Sequence, residues 1–280
     1  MADTLPAFDG IDPTQPLPMF YRKLAPLDPS RHAGLRMPAR ADCAFAATTN
    51  SIPLMREEFA AAQRHYPIVF AAGDKPVPIV LVGLRDRENL FLDEIDAIQG
   101  YKWRDGCYVP AYIRRYPFAL VAIEGQDSMA VCIDDEAVLG PRDGEYIFGP
   151  DGQLGPYGQD IMNLCQSFEA QIKPTEEFAT ELHRLGLLEA QTAEVGLPNG
   201  ERFTLSGFST VNQARFNELP GKTLAAWRDN GWLMMVYAHL LSLGTWQSLV
   251  DLTAKRGELK AESDDRFSRD AFLNKVLYNT

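Results

Sequence analysis

Short apolar runs closed by turn residues fill the first half of this chain, and they restrict its fold more than any other feature. Ile68-Val69-Phe70-Ala71 stops at Gly73-Asp74, and the runs at 77–84 and 89–92 follow it closely. Further on, 118–123 turns at Gly125-Gln126-Asp127 and returns as Met129-Ala130-Val131-Cys132-Ile133. Runs this short, rich in β-branched and aromatic residues, suit strands, and tight turns join antiparallel neighbours. The spacing predicts a three-stranded antiparallel meander over 68–92 and a further pair over 118–133. After a Gly- and Pro-rich stretch at 140–158 the period changes. Ile161, Leu164, Cys165 and Phe168 recur at helical spacing. The expected fold class is therefore α+β, with a mixed or mainly antiparallel sheet in the N-terminal half and a helix-rich C-terminal half carrying one β-hairpin.

The remaining expectations fit around that frame. Residues 19–24 and 43–46 read as strands. A helix is expected to start at Ser51, with Pro53 in its first turn, and to run to Ala62. Residues 159–173 form a helix, which Pro174 either kinks or ends in favour of a second helix reaching Leu188. Pro198-Asn199-Gly200 joins 194–197 to 202–205 as a hairpin. Short helices over 212–218 and 223–228 precede a long one over 232–250, with Trp232, Met235, Val236, His239, Leu240 and Leu243 on one face. A last helix is expected over 267–278. The domain plan is a flexible arm at 1–18, a sheet-rich part at 19–139, a linker at 140–158 and a helix-rich part at 159–280 packed on the first.

Charge narrows the partners. Lys and Arg number 27 against 38 Asp and Glu, for a net charge of −11. A surface this acidic repels a phosphate backbone, which argues against nucleic acid and anionic membrane. Cys43, Cys107, Cys132 and Cys165 are widely spaced, with no C-x-x-C pair, and read as free thiols in a reducing compartment. The first eighteen residues lack the basic and apolar regions of a signal peptide. No apolar run approaches the roughly 20 residues a membrane helix needs, so no membrane insertion is expected. A cytoplasmic protein is the reading.

Familiar catalytic patterns are missing. His32, His65, His183 and His239 stand far apart, without metal-ligand spacing, and no nucleophile elbow or phosphate loop is present. No cofactor and no metal are expected. The acidic runs at 93–96 and 134–136 lack the ligand alternation of a calcium loop and read as solvated turns. His239, on an apolar helix face, reads as a hydrogen-bonded core histidine.

One segment stands out as a binding surface. Tyr108, Tyr112 and Tyr116 surround Arg114 and Arg115 just before the strand at 118, with Trp103 upstream. Rigid aromatic area beside planar guanidinium forks is what interface hot spots use. An echo lies at Arg64-His65-Tyr66-Pro67, again ahead of an apolar run. The competing interpretation is that the arginines pair with the acidic surplus while the tyrosines pack on the sheet rim.

Five segments carry a resemblance: 19–27, 64–70, 83–91, 108–118, and 230–240 with its Asn230-Gly231-Trp232 and Tyr237-Ala238-His239-Leu240. In this order they resemble the SapC family, a bacterial family named for a surface-array (S-layer) protein locus. The resemblance implies one SapC-like domain and a link to surface or outer-membrane proteins. It assigns no catalytic residue. Two functions compete. One is a non-catalytic accessory or adaptor that binds a protein or peptide partner through Tyr108, Tyr112, Arg114, Arg115, Tyr116 and Trp103, with His65 and Tyr66. The other is an enzyme or obligate enzyme subunit acting on a protein or peptide, with an arginine on a carboxylate and His65 as acid or base. The adaptor reading is the expectation, and Arg114→Ala with Arg115→Ala is expected to abolish binding in an intact fold. A homodimer through the apolar final helix, which carries Met234, Met235 and Trp246, is a further option.

Overall fold

A computed structural model describes residues 17–38, 42–96, 100–122, 129–137, 143–197 and 199–257. Residues 1–16 of the arm expected at 1–18, the turn at 125–127, the start of the linker at 140–142 and the closing helix at 267–278 lie outside the described residues. In chain order the elements are β1 (Leu24–Pro26), α1 (Pro29–His32), β2 (Ser51–Pro53), α2 (Phe59–Ala62), β3 (Ile68–Ala71), β4 (Pro78–Leu81), β5 (Leu92–Asp96) and β6 (Gly100–Trp103). Then come α3 (Ala111–Arg114), β7 (Phe118–Ala122), β8 (Met129–Asp134), α4 (Pro156–Arg184), β9 (Leu188–Gly196), β10 (Arg202–Val211), α5 (Gln213–Asn217), α6 (Gly221–Asp229) and α7 (Trp232–Ser242). The last helix among the described residues, α8, occupies 246–257. The fold is α+β, with antiparallel sheets, a sheet-rich N-terminal half and a helical C-terminal half with a hairpin.

The chain builds two compact units from interleaved pieces. The first comprises Met1–Ala47, Pro53–Glu58 and Phe91–Glu181; the second comprises Thr48–Ile52, Phe59–Leu90 and Leu182–Thr280. The Gly- and Pro-rich stretch expected as a linker falls inside the first unit. Its residues earn a place there by packing: Ile147 N–H donates to Leu35 O at 3.2 Å, and Ile147 and Phe148 are buried.

In the first unit β8 lies between β1 and β7, both antiparallel to it, in the registers Leu24↔Asp134 and Phe118↔Ile133. Phe118 and Ile133 meet Ile147, Ile161 and Cys165 in one buried cluster. β5 and β6 form a separate antiparallel ribbon. Helix α4 runs through Pro174 as one element; the next hydroxyl, on Thr175, donates to Gln171 O at 2.6 Å and accepts from Arg56 N–H at 3.0 Å.

In the second unit the strand order is β2-β4-β3-β10-β9. β3 pairs antiparallel with β4, as the spacing predicts, but the place beside β4 expected for 89–92 is taken by β2, and β10 lies on the other side of β3. Leu90 N–H makes one bond to Val82 O at 2.8 Å before the chain leaves for β5. Neither β2, which joins β4, nor β10, which joins β3, directly precedes or follows that strand in sequence, which local periodicity does not report. The loop before Leu90 is tight: a Cβ on Gly83 would lie 1.9 Å from Glu88 O and 3.3 Å from Asn50 Cβ. Because backbone cannot yield as a side-chain tip can, Gly83→Ala is expected to destabilise the second unit by about 2–3 kcal/mol, read as a lowered urea midpoint.

Local expectations fail elsewhere for identifiable reasons. Residues 19–24 turn before they extend, with Phe20 at φ 81° and Tyr21 N–H bonded to Pro18 O at 3.1 Å, so β1 starts only at Leu24. Residues 44–46 are a 3₁₀ turn whose first N–H, on Ala44, is taken by Asp42 Oδ1 at 2.9 Å. The expected helix start at 51–53 is β2, because the residue ahead of Pro53 is held extended and buries Ile52 completely. The long final helix breaks into α7, a 3₁₀ turn over Leu243–Thr245, and α8. Among the described residues no helix is long and apolar enough to cross a membrane.

Candidate functional site: an aromatic and arginine cluster in the first unit

Pro110 opens α3 with an extended ψ of 143° and cannot donate a hydrogen bond. The first helical donor, Ala111 N–H, is met by a carboxylate: Glu58 Oε1 accepts it at 2.6 Å. The same oxygen accepts from Tyr108 Oη at 2.9 Å, and Oε2 accepts from Met55 N–H at 2.9 Å. Glu58 is 5% exposed, so burial pushes its carboxyl pKa up, opposed by those three donors. One buried side chain thus ends two helical turns that are distant in sequence.

A second buried carboxylate holds the other end of the segment. Asp134 accepts from Lys23 N–H at 2.9 Å, Arg22 N–H at 3.2 Å and Tyr116 Oη at 3.1 Å. It is buried rather than part of a solvated turn; the neighbouring Asp135 takes Arg31 at 2.9 Å. Burial and the Asp134 carboxylate both raise the pKa of the Tyr116 phenol, against the nearby Arg22 cation. Tyr108 is pushed up to about 12, by burial first and then by Glu58. At neutral pH both phenols therefore stay protonated and donate.

Between these carboxylates Arg115 points inward. It is 5% exposed, and its Cζ lies 4.1 Å from the Phe168 ring centroid, 4.5 Å from Tyr112 and 5.7 Å from Tyr21. A guanidinium desolvated among ring faces gains from their quadrupoles. Its Nε has no hydrogen-bond partner among the described residues. Arg114 instead faces solvent, with Nε on Val109 O at 3.1 Å and an amino group on Tyr108 Oη at 3.3 Å.

Outside this core an aromatic shelf is half exposed. Phe45 stacks on Tyr116 with centroids 4.0 Å apart, and Phe20 meets Phe45 edge-on at 5.2 Å and Tyr112 at 5.9 Å. Tyr21 abuts Tyr116 at 5.2 Å and donates its hydroxyl to Phe118 O at 2.6 Å. The left-handed backbone of Phe20 is an outlier for a bulky side chain, and such strain is of order 1–3 kcal/mol. Arg22, exposed, flanks the shelf.

The structure thus separates the residues that sequence grouped. Tyr108, Tyr112, Arg114, Arg115 and Tyr116 come together in the first unit, with Tyr112 and Arg115 buried. Trp103 is buried on β6 and stacks on Phe91 at 6.4 Å. His65 and Tyr66 belong to the second unit, where Tyr66 is fully buried; His65 is half buried, and burial followed by Arg64 lowers its pKa. Arg115→Ala would leave a hole in an aromatic core, whereas Arg114 is exposed, so Arg114 is the member of the pair that a surface test can change. Glu58, Asp134, Phe20, Phe45 and Phe168 were not singled out by sequence. Glu58 had a readable signal: it stands three residues after Met55 at a helix start, the spacing of a reciprocal cap.

A scan against protein families matches SapC over residues 27–249. The chain belongs to the SapC family. The SapC match takes in Phe45, Glu58, 108–118, Asp134 and Phe168, and starts after Phe20 and Arg22. No curated protein and no solved structure matches the chain.

Proposed function

We propose that this protein is a non-catalytic accessory or adaptor whose aromatic shelf, Phe20, Phe45 and Tyr116 with Arg22 and Arg114 beside it, binds a protein or peptide partner. The observation that supports the reading is the shelf itself: half-exposed rings, with Phe45 stacked on Tyr116, whose hydroxyl is held by the buried Asp134 carboxylate, and a strained backbone at Phe20. Rings fixed in advance lose little freedom on binding, and arginines at their edge suit carboxylates or carbonyls of an incoming chain. Surface-layer protein as the partner class rests on the family's name alone.

The test uses the purified full chain as bait in extract of its own host, with quantification by mass spectrometry. Arg22→Glu with Arg114→Glu changes two exposed side chains; the lost Arg114 bonds to Val109 O and Tyr108 Oη are expected to lower the melting temperature by a few degrees and leave the fold intact. The double variant, and separately Phe45→Ala, is expected to weaken capture of the partner about tenfold or more. Undiminished capture by the folded double variant would sink the reading. So would a stoichiometric metal or cofactor in native mass spectra of the host-derived protein, which would favour the enzyme alternative.

A further inference from the structure

β9 (Leu188–Gly196) is the outer strand of the five-stranded sheet, and among the described residues its far edge meets no strand. Two bonds at its ends fix which backbone groups face that edge. Asn212 N–H donates to Leu187 O at 2.8 Å, and Leu197 N–H donates to Glu201 O at 2.8 Å. Successive residues of an antiparallel strand point their N–H and C=O alternately to one side and the other. The odd-numbered positions therefore face β10, while Leu188, Ala190, Thr192, Glu194 and Gly196 turn theirs outward. The irregularity in this ladder adds its extra residue to β10, between Leu205 and Phe208, so the alternation along β9 is unbroken.

Of the usual guards the edge carries only two charges, Glu189 and Glu194. Its nine residues include no lysine, no proline and no bulge, and Ala190, Thr192, Glu194 and Gly196 are exposed. A strand with these properties is open to pairing, and its own sequence indicates with what. Laid antiparallel on a second β9 about Thr192, all nine residues are matched. The bonded pairs then fall at 192 with 192, 190 with 194 and 188 with 196, the positions whose groups point outward. Glu189 and Glu194, the only charges in the strand, face Val195 and Ala190 of the second copy. No carboxylate opposes another, which matters between two chains of net charge −11. Centring the pair on Glu194 instead would set like charges face to face and shorten the overlap.

We propose that two copies of this chain join their five-stranded sheets through β9, antiparallel about Thr192, as a two-fold symmetric dimer. β9 contains none of the residues of the aromatic shelf. An isologous contact of this kind is closed, so it stops at two copies.

The test uses the full chain carrying Cys107→Ser, since Cys107 is half buried and the other three cysteines are buried. Sedimentation at micromolar concentration is expected to show a dimer. Ala190→Pro removes an outward N–H, a place where an edge strand tolerates proline, and is expected to raise the dimer dissociation constant by at least about tenfold. Should that variant fold poorly, Thr192→Lys sets two cations at the symmetry axis from an exposed site and is expected to do the same. Thr192→Cys is expected to cross-link on mild oxidation, because bonded pairs place Cα atoms about 5.5 Å apart, within disulfide reach. Ala190→Cys, facing position 194, is expected not to. A monomeric wild type, a dimer unaffected by Thr192→Lys, cross-linking at 190 in place of 192, or a foreign strand bound to a monomer would each overturn the proposal.

Discussion

Replacing His239 with leucine is expected to cost about 3–5 kcal/mol of stability, one of the two largest effects anticipated for any single substitution here. The reason lies between two strands. β3 and β10 are registered through Ser209↔Phe70, which would bring Val211 opposite Ile68 at the next bonded pair. The imidazole of His239 occupies that place. Val211 N–H donates to Nε2 at 3.0 Å, and Nδ1 lies 2.7 Å from Ile68 O. With Nε2 accepting, Nδ1 carries the proton and donates it to Ile68 O, so the neutral ring satisfies both backbone groups. Ser242, one turn on, accepts from Ile68 N–H at 2.9 Å and donates to His239 O at 2.6 Å. Leucine fills much of the ring's volume but orphans a buried carbonyl and a buried N–H.

The same geometry makes stability depend on pH. Burial lowers the His239 pKa to about 4 from its ordinary 6.5, the bond to Ile68 opposing. The unfolded chain takes up this proton below about 6.5 and the native ring only near 4, so the contribution is complete above 6.5 and is lost as pH falls toward 4. It amounts to about 3 kcal/mol over that window. Glu58, whose pKa is raised, works in the opposite direction in mildly acid solution. Urea unfolding at several pH values, compared between wild type and His239→Gln, isolates the histidine: the glutamine amide can still donate and accept but does not titrate. Equal slopes for the two proteins between pH 4 and 6.5 would refute this account.

Glu58→Ala is the second. It strips acceptors from Met55 N–H, Ala111 N–H and Tyr108 Oη together, and a loss of about 3–5 kcal/mol is expected. Tyr108→Phe removes only one of those bonds and is expected to lose about 1 kcal/mol. A double-mutant cycle between the two positions should therefore show clear coupling, and additive effects would mean that the carboxylate does not organise the segment. Because the aromatic shelf hangs on α3, Glu58→Ala is also expected to weaken partner capture without touching the partner.

How much of this was legible beforehand follows from the range of each interaction. The hairpin of β9 and β10, the pair β7 and β8, and the helix at 156–184 are written in local period and turn chemistry, and the sequence reading found them. The partner of β3 was not, since β10 is separated from it by about half of the chain and nothing in 68–92 refers to it. The segment at 108–118 shows the same division. Its composition drew attention to 108–118, yet composition does not distinguish Arg114, on the exposed side of a single helical turn, from Arg115, which faces Phe168 from a helix not yet formed. Asp134 and Asp135 read alike as an acidic turn; one is buried under backbone donors from β1 and the other pairs with Arg31. One residue of register decides between those fates.

The interleaving of the two units bears on synthesis as well as on the finished molecule. The chain passes from one unit to the other after Ala47, Ile52, Glu58, Leu90 and Glu181. Neither unit is contiguous, so a ribosome cannot release one complete before starting the next. β3 leaves the exit tunnel long before β10 exists, and at ordinary translation rates the interval is on the order of ten seconds. Through that time Ile68, Val69 and Phe70, all fully buried at the end, are apolar strand without their second neighbour. Nascent chains of this protein should therefore engage holdase chaperones until the C-terminal helices emerge, and cutting the gene at the glycine-rich stretch should yield two insoluble halves rather than two domains.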